Sequence, residues 1–379
     1  MNQTLLRNET ATPSPLFSTS LSLPGFDADS WVVVDSMVNG LAMGGTRMTT
    51  TVDDTELSFL ARGMTHKLAL VDLPIGGAKA GIRPRGPIHD RKALMRTFGR
   101  VTQPLLHGGV YLGCDQGTTH PDRDEFFAAA GYDIATRPGA TRLDVNWPEF
   151  WRTMVDITGF GVATAALGAI RASGVRKPQR IVVQGFGTVG RAAAQHLAAQ
   201  GHIIVAVADV VGTVEDPAGL PIDQLIRCTS TAGTIDRSKL PTSVRVHDGD
   251  RAWLKIDSDV VVLAAGAGAI DDIHVSSVSA GIIAEGGNMS CTKVARGMLR
   301  NAGHTVLPDV VVNVGAAAVT GSIIAGVAPS GQTTKQLSAW LRDWISGKIT
   351  RNCETIQELS AAGNPDPVAE LLAARNIAC

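Results

Sequence analysis

The sequence predicts an α/β protein of two domains, one of which has a doubly wound parallel sheet. Residues 180–184 form a β-branched apolar segment that runs into a Gly-x-Gly-x-x-Gly turn, and an alanine-rich segment follows. A second apolar segment, 202–208, ends at Asp209. Strand-like and amphipathic segments precede this unit over residues 31–106, and the length of 379 residues is enough for two hydrophobic cores.

The composition is that of a globular protein, with 44% hydrophobic residues. The 34 basic and 35 acidic residues give a formal net charge of −1, so we expect neither a nucleic-acid partner nor an anionic membrane. The five cysteines are scattered and odd in number. We therefore expect no metal site and no disulfide framework, and a reducing cytoplasm fits.

Two segments bear on export and membrane insertion. Residues 1–20 are polar and lack the apolar stretch of a signal peptide, so we expect a flexible tail. Residues 310–327 are apolar but are interrupted by Asn313, Thr320 and Ser322 and are rich in small residues. This pattern favours packing or pocket lining over a membrane span.

An amphipathic helix is predicted to begin at Asp53 and Asp54, whose carboxylates suit a helix N-terminus. Lys67 lies seven positions after Leu60 and three after Met64, so it projects from the apolar face or its edge. The simpler alternative is a lysine whose charge reaches solvent past the core. The apolar positions at helical spacing are Leu57, Leu60, Ala61, Met64 and Leu68.

Lys79 follows the pair Gly76-Gly77, which allows close approaches that a Cβ would forbid. A lysine held in such a partly dry pocket has a lowered pKa and can accept a proton near neutral pH. An ordinary loop lysine is the alternative.

Further on, a short apolar strand runs into Asp115 in a glycine-containing turn, and an aspartate in that position is most often a turn residue.

The glycine turn has a specific physical role in binding a dinucleotide. Gly185 permits the tight turn, Gly187 admits the pyrophosphate to the backbone, and Gly190 lets the helix pack on the strand. The N-terminus of that helix then offers free amides and a positive dipole end to the phosphates.

Asp209 lies 24 residues after Gly185, close to the spacing of an acidic residue that binds the adenosine ribose. Its carboxylate would accept hydrogen bonds from both ribose hydroxyls and repel a 2′-phosphate. Val210 and Val211 follow, without an arginine or lysine. The sequence therefore favours NAD over NADP.

Later apolar segments complete the predicted sheet. Residues 259–265 form a third strand that ends at Gly266, and residues 281–285 form a fourth that is followed by Asn288. A last strand is predicted near Val306. Helices are predicted at residues 335–345, 349–360 and 367–375.

Three blocks follow one another in the first half: Gly44-Gly45-Thr46-Arg47-Met48, Arg62-Gly63-Met64-Thr65-His66-Lys67 and Gly76-Gly77-Ala78-Lys79. In order and spacing they resemble the glutamate/leucine/phenylalanine/valine dehydrogenase family, most closely its leucine and phenylalanine branch. The resemblance covers roughly residues 35–325 and, more weakly, the C-terminus.

The resemblance implies roles for individual residues of the substrate site. It places the substrate α-carboxylate on Lys67, water activation on Lys79 and proton transfer on Asp115. Gly44, Met64 and Asn313 are assigned to substrate binding with them, and Val319 and Ser322 are weaker candidates. Cys114 and Gln116 depart from the family's usual neighbours of the aspartate.

Met43 bears on the choice of substrate. Glutamate-specific relatives have a lysine in its place that binds the side-chain carboxylate, and a thioether cannot neutralise such a group. We therefore expect an apolar amino acid as substrate, although Met43 would serve equally well as core filler.

The resemblance also assigns the cofactor site. Thr158 approaches the nicotinamide amide, with a simple helix cap as the alternative. Together with Thr158, the assigned cofactor-binding residues are Gly185, Phe186, Gly187, Thr188, Val189, Gly190, Asp209, Ala265, Gly266 and Asn288.

The expected organisation is a tail at 1–20, an α/β substrate-binding and oligomerisation domain at 21–156, a Rossmann NAD-binding domain at 157–320, and C-terminal helices at 321–379 that return to the first domain. The resemblance implies a cleft between the two domains and a homo-oligomer. Trp147 and Trp151, in the poorly matched region 120–151, could pack or line the pocket.

The function this implies is NAD-dependent, reversible oxidative deamination of an apolar L-amino acid to its 2-oxo acid and ammonia. Two alternatives remain open from sequence. One is a dehydrogenase of a related imine or biosynthetic amino acid intermediate, and the other is a non-catalytic NAD-binding oligomer.

Overall fold

A computed structural model describes residues 14–134, 137, 139–143 and 145–376. The chain forms two compact units. The first contains the described chain up to Val145 and the segment Ala317–Thr333, and the second contains Asn146–Ala316 and the chain from Thr334 onward. This confirms the predicted fold class of two α/β units.

The first unit is organised around a sheet with the strand order β1-β2-β4-β3-β5 among the described residues. The pairs β1–β2 and β2–β4 are antiparallel, whereas β4–β3 and β3–β5 are parallel. The parallel part places β3 between β4 and β5. The strands are β1 (Phe17–Leu21), β2 (Ala28–Val34), β3 (Ala42–Met48), β4 (Gly76–Pro84) and β5 (Val110–Cys114).

The expected tail at 1–20 is wrong for the residues from Phe17 onward. Phe17–Leu21 pairs with β2 over its whole length, with Phe17 opposite Val34. Its apolar ends and alternating exposure suit an edge strand. The polar Ser-Thr-Ser centre conceals this strand in the sequence, and residues 1–13 lie outside the described part.

The helices of the first unit are α1 (Asp54–Leu70), α2 (Arg91–His107) and α3 (His120–Ala130). As predicted, α1 begins after Asp53, whose carboxylate accepts a hydrogen bond from the Glu56 amide at 2.8 Å. Asp90 and Thr119 cap α2 and α3 in the same way.

Helix α1 packs directly on β4 at Gly77. A Cβ on Gly77 would lie 2.2 Å from the Ala61 carbonyl oxygen and 2.3 Å from the Thr65 amide nitrogen. The glycine pair is therefore part of a buried strand rather than a loop, and it allows helix and strand backbones to meet.

The second unit has a sheet with the order β12-β11-β10-β6-β7-β8-β9 among the described residues. Strands β12 to β7 are parallel, and β8 and β9 add antiparallel pairs at one edge. This is the predicted doubly wound arrangement. The strands are β6 (Arg180–Gln184), β7 (Ile203–Ala208), β8 (Gly212–Glu215), β9 (Arg245–Asp248), β10 (Val260–Leu263), β11 (Ile282–Glu285) and β12 (Thr305–Leu307).

The later helices belong to the second unit, except that most of α10 lies in the segment 317–333 of the first unit. In chain order they are α4 (Trp147–Thr153), α5 (Ile157–Ala172), α6 (Thr188–Ala199), α7 (Ile222–Arg227), α8 (Lys293–Asn301), α9 (Asp309–Val312), α10 (Gly315–Ile324), α11 (Thr334–Ala361) and α12 (Pro367–Ala373).

The C-terminal helices differ from expectation in two ways. Helix α11 is continuous across the two segments predicted as separate helices, since Gly347 costs a helix interior only about 1 kcal/mol. Helices α11 and α12 also belong to the second unit rather than to the first. Ile349 of α11 is fully buried at Gly161 of α5, where a Cβ would lie 2.9 Å from its Cδ1.

Trp147 and Trp151 form an aromatic cluster with Phe150. The two indoles stack at 6.4 Å, and each meets the Phe150 ring edge-on.

The stretch Trp147–Ala172 is long and apolar enough to cross a membrane. This is weak evidence for a membrane span, because buried core helices pass the same test. In this structure, 61% of its most apolar 18-residue window is buried.

Gly77→Ala should destabilise the protein, because its Cβ would overlap backbone atoms of α1. We expect a loss of about 1–3 kcal/mol in the free energy of unfolding, measured by urea denaturation. Gly63→Ala is the matched control, since a Cβ there meets nothing within 4 Å and should stabilise α1 slightly. Equal stability of the two variants would contradict the packing described.

Candidate active site

The candidate site is built where β3 approaches both of its neighbours at Gly44 and Gly45. A Cβ on Gly44 would lie 1.6 Å from the Ala78 carbonyl oxygen of β4. A Cβ on Gly45 would lie 2.6 Å from the Cys114 oxygen and 2.9 Å from the Asp115 Cβ. The two glycines thus let residues from β4 and from the end of β5 meet across β3.

Lys79 and Asp115 meet at this point. The Lys79 Nζ lies 3.1 Å from the Asp115 Oδ2, and the lysine is buried. Lys79 stands in the middle of β4, whereas Asp115 directly follows β5. The structure therefore brings an amine and a carboxylate from residues 36 positions apart into direct contact.

Two further charged residues, to which the sequence alone assigned no role in the site, complete the cluster. The Arg47 Nε donates to the Asp115 Oδ2 at 2.8 Å, and the Arg47 Nη1 donates to the Glu56 Oε1. Both Arg47 and Glu56 are buried. The four side chains form a row of alternating charge, from Glu56 through Arg47 and Asp115 to Lys79. Each buried charge therefore lies next to an opposite one.

The environment shifts the pKa values of both partners. Burial lowers the pKa of Lys79, and the neighbouring Arg47 charge lowers it further, although Asp115 opposes the change. Burial on its own would raise the pKa of Asp115, but the charges of Lys79 and Arg47 outweigh it and hold that pKa well below its usual range. Asp115 is thus held as a carboxylate, and the charged form of Lys79 is disfavoured.

The turn after β5 fixes the Asp115 backbone. Its amide donates to the Thr118 Oγ1 at 2.9 Å, and that hydroxyl donates to the Thr46 carbonyl oxygen at 2.7 Å. Gly117 has a φ of +80°, and a Cβ there would lie 1.8 Å from the Met48 oxygen. The turn is therefore held against β3 at Thr46 and at Met48.

The remaining residues predicted for the substrate site belong to elements already described. Lys67 is buried in the last turn of α1, and Met64 is half-buried one turn earlier. Met43 is buried on β3, beside Gly44. Residues Val319 and Ser322 are buried in α10, where the serine hydroxyl donates to the Val319 carbonyl oxygen at 2.8 Å.

The glycine turn after β6 has the geometry predicted for it. Gly185 has a φ of +93°, and a Cβ on it would lie 2.4 Å from the Ala265 amide nitrogen. A Cβ on Gly190 would lie 1.9 Å from the Gly185 oxygen. Nothing stands within 4 Å of the corresponding position on Gly187, which precedes α6. The side-chain position of Gly187, the glycine expected to admit the pyrophosphate, is therefore open.

Phe186 anchors this turn, since its side chain is buried. Thr188 and Val189 open α6 directly after Gly187 and offer backbone amides at a helix N-terminus. These residues fit a bound dinucleotide phosphate.

Asp209 differs from the expectation of an open carboxylate for the ribose. Arg237, 28 residues later, forms a two-pronged ion pair with it, with Nη1 donating to Oδ2 at 2.7 Å and Nη2 to Oδ1 at 2.6 Å. Burial would raise the pKa of Asp209, but these hydrogen bonds hold it below its usual range. No local pattern in the sequence points to this partner, because it comes from a distant 3₁₀ segment.

The turns after β10 and β11 lie against each other. A Cβ on Gly287 would lie 3.1 Å from the Gly266 amide nitrogen, and Ala265 directly precedes that glycine. Asn288 is half-buried in the second turn. The Asn313 side-chain amide donates to the Gly286 carbonyl oxygen, so this residue anchors the β11 turn.

A buried ion network holds the β11 turn in place. Arg296 donates to both carboxylate oxygens of Glu285, at 2.6 and 2.8 Å, and to Asp309 at 2.9 Å. Asp309 in turn accepts from the Met289 amide at 3.0 Å. The strand end, α8 and α9 are thereby joined around the position of Asn288.

Thr158 has a structural partner. Its hydroxyl accepts a hydrogen bond from the Ala316 amide at 3.2 Å, at the start of α10. The hydroxyl therefore caps the beginning of another helix rather than its own. Among the described residues, no group of His, Cys, Asp and Glu side chains is arranged to hold a metal ion.

Comparison with known proteins matches two family profiles. Residues 152–375 match the Glutamate/Leucine/Phenylalanine/Valine dehydrogenase profile, and residues 27–124 match the Glu/Leu/Phe/Val dehydrogenase dimerisation domain. Together they cover both units.

Curated relatives and solved structures agree with these matches. The chain is 30% identical over 297 residues to the mitochondrial glutamate dehydrogenase of Dictyostelium discoideum, a match that covers 73% of this chain and 58% of that protein. It is 28% identical over 298 residues to the glutamate dehydrogenase of Thermotoga maritima, covering 76% of this chain and 70% of that protein. An NADP-specific glutamate dehydrogenase of Saccharolobus shibatae is also 28% identical over 298 residues, covering 74% and 66%.

The fold is similar to that of the hetero-hexameric glutamate dehydrogenase of Thermus thermophilus in its leucine-bound form, with a TM-score of 0.78, 23% identity, and coverage of 95% of this chain and 89% of that one. The Plasmodium falciparum glutamate dehydrogenase gives a TM-score of 0.76 at 17% identity, with coverage of 96% and 84%. On the strength of the two profile matches, this chain belongs to the glutamate/leucine/phenylalanine/valine dehydrogenase family.

Proposed function

We propose that this protein catalyses the reversible, NAD-dependent oxidative deamination of an apolar L-amino acid to its 2-oxo acid and ammonia. The observation that carries the proposal is the Lys79 amine, buried and 3.1 Å from the Asp115 carboxylate. A buried lysine with a lowered pKa next to a carboxylate is suited to proton transfer. The family match supports the reaction class.

In the forward direction Lys67 binds the substrate α-carboxylate. The bound dinucleotide supplies the acceptor for the Cα hydride. Neutral Lys79 accepts a proton from the water that attacks the resulting iminium carbon, and Asp115 passes protons between the substrate nitrogen, the water and Lys79. Ammonia leaves and the 2-oxo acid remains.

Arg47 has a positioning role in this scheme. Because it donates to the same Asp115 oxygen that faces Lys79, it keeps the carboxylate charged and fixed beside the amine. Its positive charge also favours the neutral form of Lys79. It therefore assists the proton acceptor through Asp115.

Met43 supports an apolar substrate. The Met43 side chain is buried and carries no charge, so it cannot neutralise the side-chain carboxylate of a glutamate substrate. Burying that carboxylate without a partner would cost several kcal/mol. An apolar side chain is the better match. The Dictyostelium and Thermotoga relatives are named as glutamate dehydrogenases, so this preference distinguishes the chain from them.

The glycine turn supports a dinucleotide coenzyme, and Asp209, which directly follows β7, favours NAD to the extent that Arg237 leaves its charge uncancelled. We also propose a homo-oligomer in the cytoplasm; the matched dimerisation domain supports the oligomer, and the scattered cysteines fit a reducing compartment. The small-molecule partners are then the amino acid, the 2-oxo acid and ammonia.

Lys79→Ala should lower kcat by roughly 10²–10⁴-fold, because the proton acceptor is removed. The measurement is NADH formation, followed by its absorbance, with a panel of L-amino acids. Lys92→Ala is the matched control, since Lys92 is exposed in the same unit and should leave turnover unchanged. Wild-type turnover by Lys79→Ala would contradict the mechanism.

Activity should rise with pH as Lys79 loses its proton, with the rise below the usual lysine range because its pKa is lowered. Removing the Arg47 charge raises that pKa, so the rise in kcat/KM should move to higher pH. The paired variant Arg47→Met with Glu56→Gln avoids a buried unpaired carboxylate, and Glu56→Gln alone is its control. A profile that moves to lower pH, or not at all, would count against this role of Arg47.

Met43→Lys should raise kcat/KM for glutamate relative to leucine, because it supplies a cation for the second carboxylate. Wild-type enzyme should prefer apolar amino acids in the same assay. Circular dichroism would check that the variant folds, and Met43→Leu controls for the loss of the thioether. A wild-type enzyme that prefers glutamate would overturn the proposed substrate class.

A further inference from the structure

The ion pair between Asp209 and Arg237 lies where the adenosine ribose of a dinucleotide is expected. Asp209 directly follows β7, at the carboxyl end of a parallel strand next to β6 and its glycine turn. Arg237 comes from a short 3₁₀ segment that begins at this residue. Asp209 and Arg237 together determine the charge at the end of β7.

The hydrogen-bonding capacity of the Asp209 carboxylate is largely used within the protein. Besides the two bonds from Arg237, its Oδ1 accepts from the Val211 amide at 2.8 Å, and its Oδ2 accepts from the Ile235 amide at 2.7 Å. Oδ2 thus has one backbone donor and one guanidinium donor, and Oδ1 has a second backbone donor as well, the Gly212 amide at 3.3 Å. A ribose diol would have to displace some of these bonds.

Exposure shows which partner a ligand meets first. The Asp209 side chain is 2% exposed, whereas the Arg237 side chain is 19% exposed. A nucleotide that approaches this strand end therefore encounters the guanidinium rather than the carboxylate.

The segment before Arg237 lies against the phosphate-binding turn. Gly233 approaches Gly187 so closely that a Cβ on it would lie 3.0 Å from the Gly187 amide nitrogen. Thr229 and Ile235 form a β-bridge that closes this loop. Arg237 is therefore held on the nucleotide side of the sheet by a loop that adjoins the glycine turn.

The electrostatic consequence concerns the ribose 2′ position. An unpaired aspartate repels a 2′-phosphate, and this repulsion is a main source of preference for NAD. A paired aspartate and arginine have no net charge, and the more exposed member is the cation. The repulsion is then largely cancelled.

We propose that Arg237 is a specificity-determining residue for the dinucleotide: by neutralising and covering Asp209, it narrows the preference for NAD over NADP, so that both coenzymes are accepted. This inference concerns the coenzyme of the proposed function. It depends on that function only where enzyme turnover is measured, and not where nucleotide binding is measured. The chemical group recognised is a 2′-phosphate on the adenosine ribose.

The test measures binding first, by isothermal titration calorimetry of the whole protein with adenosine 2′,5′-bisphosphate and with 5′-AMP. Arg237→Met should weaken the bisphosphate at least about tenfold relative to 5′-AMP, because it exposes the Asp209 charge. Arg237→Lys should retain most of the wild-type ratio. Lys239→Ala is the matched control, since Lys239 is an exposed cation of the same segment and should leave the ratio unchanged.

Asp209→Asn provides a second, independent arm that keeps Arg237 and removes the negative charge. It should tighten the bisphosphate relative to 5′-AMP. An unchanged ratio in Arg237→Met, or in Asp209→Asn if the first variant does not fold, would overturn the inference, as would a shift in the opposite direction.

Turnover separates this inference from the proposed function. With an active enzyme, the ratio of kcat/KM for NAD to that for NADP should rise at least about tenfold in Arg237→Met. If no amino acid is turned over with either coenzyme while the binding ratios change as stated, the proposed function fails and the role of Arg237 stands. If Arg237→Met turns over an amino acid but its ratio of kcat/KM for NAD to that for NADP is unchanged, the proposed function stands and the role of Arg237 fails.

Discussion

The shared Asp115 oxygen holds the candidate site together. A single carboxylate oxygen accepts from Arg47 and faces Lys79, all inside a nearly dry part of the first unit. Buried charges are costly unless they are paired, so each member of the row is stabilised by its neighbour. The same arrangement leaves Lys79 with a lowered pKa, because burial and Arg47 together outweigh the attraction of Asp115. The stability of the charge row and the lowered pKa of Lys79 thus depend on one set of contacts.

Close backbone approach is the second constraint, and both units use it. In the first, Gly44 and Gly45 allow three strands to bring Lys79 and Asp115 together, since a Cβ at either position would overlap backbone atoms. In the second, Gly185 and Gly190 allow the strand, the turn and α6 to pack closely, and α6 begins directly after this turn. In both units, glycines thus let the backbone segments that carry the candidate site residues lie close together.

The elements with strong local patterns can be predicted from the sequence, and those without cannot. Helix α1, the glycine turn and the parallel strands follow from periodicity, capping residues and glycine spacing. Strand β1 escapes prediction because Ser-Thr-Ser at its centre resembles a tail, although pairing with β2 stabilises it. The pattern predicts two helices where α11 is continuous, because a glycine inside a helix costs little when both flanking segments are buried on one side.

Short motifs and local spacing are enough to establish the family, the two α/β units and the residue types that can carry the chemistry. Which charges become partners depends instead on the folded chain. Arg47 reaches Glu56 and Asp115, and Arg237 covers Asp209, through contacts between residues 9 to 68 positions apart. Such pairs depend on strand register and loop placement, which no short stretch of sequence encodes. They set the protonation of the site and the charge at the end of β7.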